Sequence, residues 1–377
     1  RQMLPTLQVH LLCGTRNPIN NLLRSAAGYT FDQLHLDLDS SPTDGLTGDG
    51  HIYTLNTGAI LLDTIRWDIT QDAEGVALRS SIKNGRRNRV ASFRSTLQAR
   101  LTATGATAHL DFIDAKGKKG VDLGIEANMT PEGTRLHMTP LNPIIAYRRF
   151  TLNEDNYVEL TREGRVLALI DLLADDGTGL KLYSTPNEDA LQDISLEVNR
   201  INLGELTSVM PYAPQLGGLL HGDLHYMQAD SATTISTDIG IRRMTYEGTP
   251  MGDMGLNAIY FPNTDGSHHV DAVVTQNDNE IAMLAGTYWE QNGEGQIDAE
   301  ATLESLPLSL ANAFLPEGTI RLKGATSGSL TITGRAANPL MTGSLATEGV
   351  HVLAEDYSVD LSIPDDTLRV NNSYLDL

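Results

Sequence analysis

The chain has 377 residues, more than one globular core usually holds, which predicts either several domains or one elongated, repetitive body. Its hydrophobic content of 40% is ordinary while its aromatic content of 5% is low, so the apolar residues are mainly aliphatic. With 48 acidic and 27 basic residues the net charge is -21, which argues against nucleic acid and anionic membrane surfaces as electrostatic partners.

The two ends of the chain predict an excised segment of a longer protein, and the cysteine content does not identify its compartment. The single Cys13 excludes an internal disulfide and leaves the redox compartment open. The chain begins at Arg1 without an initiator methionine or a signal peptide, and no stretch approaches the roughly 18 uninterrupted apolar residues of a membrane span. We therefore expect any membrane anchor of the parent protein to lie outside this segment.

The first predicted elements are a short helix from Pro18 to Ala27 and a strand in which Leu34, Leu36 and Leu38 alternate with polar residues. Strands with one apolar face are typical of antiparallel sheets and not of the doubly buried strands of a parallel sheet. Five dipeptides that tolerate positive φ are predicted to form hairpin turns. They are Asp49-Gly50, Asn84-Gly85, Asp176-Gly177, Asp265-Gly266 and Asn292-Gly293.

The same period of two recurs along the rest of the chain. It predicts an all-β protein, namely an elongated, curled antiparallel sheet that forms a groove, with a few short helices and fewer than about one residue in six helical. The apolar positions predicted to share one concave face and to line the groove are Leu34, Leu36, Leu38, Leu110, Phe112, Val121, Leu123, Ile125, Ile194, Leu196, Val198, Ile297, Leu303, Leu330, Ile332, Val359, Leu361 and Ile363.

An internal repeat is indicated in the second half of the chain. Two further short helices are predicted, from Leu203 to Met210 and from Pro307 to Phe314, and each is followed by proline and then by strands punctuated with glycine. The predicted division is a β-rich part over 1–200, a repeat module over 201–303 and a second module over 304–377. Growth by modules needs only neighbours that cover each edge, and it predicts a rod.

The search for chemistry favours a protein that is not an enzyme and has no cofactor or metal. Gly324 to Gly328 resembles a nucleophile elbow, but Thr326 stands in the place of the serine. The Ser80 to Lys83 segment has Ser-x-x-Lys spacing without its companion motifs. The histidine pairs are spaced wrongly for one metal ion on a strand, and no catalytic role is predicted for Thr326, Ser327, His221 or His225.

One basic stretch, from Lys83 to Lys119, contrasts with the acidic whole. Two interpretations remain open from sequence. The stretch contacts phosphate head groups or an acidic partner, or its charges protect exposed strands and turns from edge-to-edge pairing.

The C-terminal half resembles the TamB family of AsmA-like proteins. The likeness rests on a strand that closes at glycine, an Asn-Pro turn and a new Gly-x-Leu strand, together with a proline-rich linker before them, and it extends from about Leu203 to Leu377. The motifs are Gly328 to Gly334, Asn338-Pro339-Leu340, Gly343-Ser344-Leu345, Leu306-Pro307-Leu308, Phe314-Leu315-Pro316 and Gly318-Thr319-Ile320. One departure is that Gln228 to Thr234 lacks the proline that a regular module would have.

The resemblance implies a periplasmic protein anchored in the inner membrane, whose curled sheet carries phospholipid toward the outer membrane and whose partner is an outer-membrane β-barrel assembly protein. Physical chemistry agrees, because two acyl chains of about 16 carbons lose roughly 25 kcal/mol when they are exposed to water. The alternative is a scaffold that assists outer-membrane β-barrel or autotransporter assembly, in which exposed strand edges pair with client strands. The same apolar residues also suit a closed sandwich core, so whether the face is open is left to the structure.

Overall fold

The structure is a computed structural model, described here for residues 6–43, 45–85, 88, 91–187, 189–229, 232–315, 320–354, 359–371 and 374–376. Strands make up 71% of it and helices 6%, in an open antiparallel sheet. The all-β prediction and its low helix content are confirmed. Among the described residues, no helix is both long enough and apolar enough to cross a bilayer.

The chain divides into two compact units, which are described separately. Unit 1 comprises Arg1–Gly179 and Glu205–Ala213, and unit 2 comprises Leu180–Gly204 and Pro214–Leu377. The expected ranges 1–200, 201–303 and 304–377 divide the chain differently, because residues 180–200 belong to unit 2 and residues 205–213 belong to unit 1.

Unit 1 is an antiparallel ladder in which each strand from β1 to β9 pairs with the next, and β12 then lies between β9 and β13. Its strands are β1 Leu7–Cys13, β2 Gln33–Ser41, β3 Gly45–Asn56, β4 Leu61–Gln71, β5 Gly75–Asn84, β6 Phe93–Thr102, β7 Gly105–Asp114, β8 Lys119–Met129, β9 Gly133–Ile145, β10 Arg148–Arg149, β11 Thr151–Leu152, β12 Tyr157–Thr161 and β13 Val166–Leu173.

Unit 2 continues the pattern, with consecutive antiparallel pairs from β15 to β23 and two short strands, β24 and β25, both against β23. The strands are β14 Gly179–Ser184, which begins at the last residue of unit 1, β15 Gln192–Asn202, β16 Leu216–Ala229, β17 Ala232–Tyr246, β18 Thr249–Pro262, β19 His268–Gln276, β20 Asn279–Gln291, β21 Glu294–Pro307, β22 Arg321–Arg335, β23 Leu340–Ala354, β24 Val359–Ile363, β25 Thr367–Asn371 and β26 Tyr374–Asp376.

The first helix, α1 Pro18–Ala27, has the predicted bounds because both of its ends carry local signals. Asn17 caps the N-terminus by accepting a hydrogen bond from the Asn20 backbone, and proline occupies the first turn, where its missing N–H costs nothing. Gly28 ends the helix in the left-handed conformation, with φ of 73°. The second helix, α2 Leu203–Ser208, is shorter than predicted, and the third is a 3-10 helix, Leu308–Phe314.

Three asparagine side chains replace a missing strand neighbour. In each case the side-chain oxygen accepts from the backbone N–H of one residue and the side-chain nitrogen donates to the carbonyl of the same residue, as a paired strand would. Asn20 and Asn156 are almost fully buried, so these bonds lie away from water. The pairs are Asn20 with Phe31, Asn156 with Met138 and Asn312 with Leu322.

The two short helices of the second half occupy equivalent places in a repeat. Each follows a strand with a β-bulge, which lies between Val198 and Ile201 on β15 and between Leu303 and Leu306 on β21. Positive-φ residues and helix starts recur at a separation of 105 or 106 residues, which supports the predicted repeat. The pairs are Arg200 and Ser305, Leu203 and Leu308, Gly218 and Gly324, Gly222 and Gly328, and Arg243 and Gly349.

One predicted turn is wrong. Asp49 and Gly50 lie in the middle of β3 and do not form a hairpin. A Cβ at position 50 would stand 2.4 Å from the Trp67 ring and 2.5 Å from the His35 carbonyl oxygen, so glycine is required there for close packing across the sheet. The dipeptides that begin at Asp176, Asp265 and Asn292 do lie between consecutive strands, and Asn84 is the last residue of β5.

Candidate functional site: an uncovered apolar sheet face

Strand register gives unit 1 one apolar face. Directly opposed residues of an antiparallel pair lie on the same face, and so do residues two apart on one strand. The face carries all eight groove residues predicted in this unit, from Leu34 on β2 to Ile125 on β8. An unbroken line of opposed pairs runs through Leu34, Ile52, Ile65, Ile82, Ser95, Phe112 and Val121.

One end of this face is closed. Leu62, Phe93 and Phe112 are buried together, and the Phe93 and Phe112 rings stack with their centroids 5.4 Å apart. Tyr212 meets Phe93 edge-on, and its hydroxyl donates to the Leu61 carbonyl. Phe112, predicted to line a groove, is therefore part of a small closed core, and Val121 packs against the same core.

The other end of the face is open. Seven large apolar side chains there are between 37% and 59% exposed, and their strands β6, β7, β8, β9 and β12 are consecutive neighbours in the ladder. We call this set the apolar strip. Its members are Leu97, Leu101, Leu110, Ile125, Met129, Leu136 and Leu160.

Only Leu110 and Ile125 of the strip are among the residues predicted from sequence. The sequence does indicate two other members of the strip, since Leu97, Ala99 and Leu101 alternate with Gln98 and Arg100 along β6. Exposure itself carries no signal in the sequence, because a strand facing a core and a strand facing a ligand have the same period.

Unit 2 also has an apolar face. Ile194, Leu196 and Val198 on β15 lie on the same side as Ile297, Leu303, Leu330 and Ile332, and most of these side chains are half-buried. The line of opposed pairs that connects them runs through Ile194, Tyr226, Ile235, Tyr260, Val270, Gly286, Ala299, Ile332 and Met341.

The last three predicted groove residues lie on β24 against the end of β23. Val359 and Leu361 are exposed, at 41% and 58%, whereas Ile363 is half-buried opposite the buried Val350. A register shift in the β22–β23 pair separates this segment from the line of opposed pairs that ends at Met341.

The total accessible surface is 22814 Å² for a chain of 40.9 kDa. A compact protein of this mass exposes about 14,700 Å², and even two separate compact bodies of half the mass expose about 17,700 Å² together. The large surface agrees with the partly exposed apolar side chains on the strands of unit 1.

The opposite face of unit 1 is polar and densely paired. His109 approaches Asp122 and Asp111 at 3.0 and 3.4 Å, and the Lys119 ammonium group lies 2.7 and 2.9 Å from the same two carboxylates. Hydrogen bonds to Asp122 and Asp111 raise the pKa of Lys119. The ligand atoms of His109, Asp111 and Asp122 lie within 4.8 Å of one another, a spacing that suits a metal ion. Lys119 forms an ion pair with both carboxylates, so the cluster is explained as an ion-pair network.

Three of the four residues considered for catalysis have structural partners. The Thr326 hydroxyl donates to the Ala346 carbonyl, and the Ser327 hydroxyl accepts from the Ser305 backbone at the β21 bulge. His225 pairs with Asp193 at 2.9 Å.

The remaining candidate motifs are divided between the two faces of a strand. Ser80 and Lys83 lie on opposite faces of β5, since they are three residues apart on one strand. The neighbours His268 and His269 likewise point apart, since His268 stacks on Tyr260 and the tilted ring of His269 contacts Phe261. Neither pair is arranged for joint chemistry.

No family model, curated protein or solved structure matches this chain. The resemblance to the TamB family thus rests on the motifs themselves. Their local geometry is a hairpin, since β22 ends after Gly334, the turn passes through Asn338 and Pro339, and Leu340 begins β23 opposite Thr333.

Proposed function

We propose that the apolar strip of unit 1 binds the acyl chains of phospholipids, and that the chain is a segment of a TamB-like protein that carries lipid along an apolar sheet face. The observation that supports this best is the strip itself, seven large aliphatic side chains left uncovered on five neighbouring strands. Exposed apolar patches of this kind mark binding surfaces far more often than unused surface.

The dimensions of the strip suit an acyl chain. Five strands at a spacing of about 4.8 Å extend over about 19 Å from the first to the last. The hydrocarbon depth of one bilayer leaflet is about 15 Å, half of the full core. Covering seven half-exposed side chains contributes roughly 1 kcal/mol each, or about 7 kcal/mol in total before the cost of ordering the lipid.

The composition also supports an aliphatic ligand. Few aromatic rings are present, and the two phenylalanines nearest to the strip lie in the closed core at the other end of the strands. The strip is therefore lined by flexible aliphatic side chains that accommodate chains of different length.

The cellular part of the proposal comes from the family resemblance. It assigns the segment to the periplasm of a protein anchored in the inner membrane, moving phospholipid between the inner and outer membranes with a β-barrel assembly protein as partner. Experiments on the parent protein are needed to identify the lipid and to measure the direction in which it moves.

Adjacent residues on β6 provide the test. Leu97 points to the apolar face and Gln98 to the polar face, and both are exposed. A photo-crosslinking amino acid at position 97 should capture phospholipid in purified, lipid-loaded protein with no bilayer present, whereas the same group at position 98 should not. Mass spectrometry of lipid extracted from the purified chain identifies the cargo.

A second pair of variants separates binding from folding. Leu97→Asp should reduce lipid recovery severalfold with little change in thermal melting, because a charge at an exposed position stays hydrated. Gln98→Asp is the matched control and should change neither. Equal lipid labelling at both positions, or none at position 97, would contradict the proposal, and a protein captured along a strand edge would favour the assembly scaffold.

A further inference from the structure

The polar face of unit 1 carries a basic patch formed by Arg66, Arg79, Lys83 and Arg94. Lys83 and Arg94 are directly opposed on β5 and β6, and Arg66 is opposed to Ser81, midway between Arg79 and Lys83. All four side chains are exposed. Like charges in directly opposed positions destabilise a sheet, so an anionic partner bound at this patch would stabilise it.

The chain supplies little of that counter-charge. Within the part of the chain that the structure describes, Arg79, Lys83 and Arg94 form no ion pair, and Arg66 donates only to the Tyr53 hydroxyl. One acid, Asp68, is directly opposed to Arg79. Farther along the same face Arg100 differs, because it already pairs with carboxylates of the preceding hairpin.

The sequence segregates charge in the same place. Between Glu74 and Asp111 there is no acidic residue and there are seven basic ones. Three of them, Arg86, Arg87 and Arg89, lie outside the described residues. Unit 1 as a whole has 19 basic and 22 acidic residues, whereas unit 2 has 8 basic and 26 acidic residues, so the acidity of the protein is concentrated in unit 2.

We infer that this basic patch docks unit 1 on an anionic phospholipid bilayer through its phosphate groups. The net charge of -21 argues against such contact only if the bilayer interacts equally with all charges of the molecule. At physiological ionic strength the screening length is about 8 Å, so a bilayer at the patch interacts more strongly with the cations within that distance than with the net charge of the chain. The inference differs from the expectation, drawn from net charge alone, that anionic membranes are excluded.

The docking surface is distinct from the apolar strip. Arg94 lies at the beginning of β6 and on the polar face, while Leu101 lies near its end and on the apolar face. The patch and the strip lie on opposite faces of the sheet, so one lipid does not contact both. The inference therefore stands independently of the proposed function.

Vesicle flotation tests the inference with the full chain. Vesicles of phosphatidylcholine mixed with phosphatidylglycerol should carry the protein upward at low salt, and high salt should release it. Each basic residue close to an anionic surface contributes about fivefold to partitioning, so Lys83→Gln with Arg94→Gln should reduce it about 25-fold. The matched control is Lys323→Gln with Arg369→Gln, which removes the same charge from exposed positions in unit 2 and should have little effect.

Circular dichroism of both double variants confirms that they fold. Three results overturn the inference: no binding to anionic vesicles, equal loss in the patch and control variants, or equal binding to pure phosphatidylcholine, which would assign the contact to apolar residues. Salt-sensitive binding of duplex DNA as strong as that of the vesicles also overturns it, since the patch would then be a general polyanion site.

Discussion

The Asn156 side chain offers the sharpest test of how the ladder of unit 1 is completed. Its oxygen accepts from the Met138 backbone at 2.7 Å, and its nitrogen donates to the Met138 and Asn153 carbonyls at 3.4 and 3.0 Å. With a relative exposure of 2%, none of these groups has water as a substitute. The side chain lies where β12 would otherwise pair with β9, two residues beyond the opposed pair of Val158 and Leu136.

Asn156→Ala leaves a buried N–H and carbonyl of Met138 without partners. Each such group costs about 1 to 3 kcal/mol, so we expect the free energy of unfolding to fall by about 3 kcal/mol. For a unit of this size that corresponds to a decrease in melting temperature of about 10 °C. Thermal melting followed by circular dichroism measures it directly.

Two further variants make the outcome specific. Asn128→Ala removes an exposed side chain whose one bond is to Glu126 and should change stability by less than about 0.5 kcal/mol. Asn156→Asp keeps the acceptor for Met138 but loses the donors, and it should recover part of its stability in acid, where a protonated carboxyl group donates again. Equal melting of Asn156→Ala and Asn128→Ala would refute the ladder argument.

Three other predictions follow from single sites. The Arg148 guanidinium holds the pKa of Asp176 far below its usual range, so Arg148→Gln should lower stability near neutral pH, and the deficit should shrink as the pH falls below about 4, as measured by denaturant titration. Gly328→Ala places a Cβ 2.1 Å from a backbone carbonyl oxygen of β23 at a φ of 150°, and it should destabilise unit 2 by about 1 to 3 kcal/mol in the same titration. Phe93→Ala should lower the free energy of unfolding by about 3 to 5 kcal/mol and leave lipid capture unchanged, whereas Leu101→Ala should reduce lipid capture with little change in stability. Equal melting of the two variants would show that the closed and open ends are not distinct.

The strands were predictable because period-two alternation survives wherever one face is apolar. Leu34, Leu36 and Leu38 alternate with polar residues, and register then joins them to Ile125 six strands away in the ladder. Helix α1 was predictable to the residue because Asn17 and Gly28 act through local backbone bonds.

The division of the apolar face into a closed and an open end was not predictable. Phe112 and Leu110 stand two positions apart on one strand, yet one is buried and the other exposed. The difference comes from Tyr212 and Val209, about 100 residues later in the chain, which cover the closed end. Gly50 was misread for a similar reason, since the Trp67 ring that requires it lies on the next strand.

The bulge-and-helix repeat has a consequence for the size of such proteins. Because Leu203 and Leu308 begin equivalent helices after equivalent bulges, a deletion or duplication between them joins one strand end to a helix that already fits it. Length can thus change in whole steps of about 105 residues without a mismatched junction or a new exposed edge. A protein built in this way can change in length by gene rearrangement alone, with each step preserving the apolar side of its neighbours.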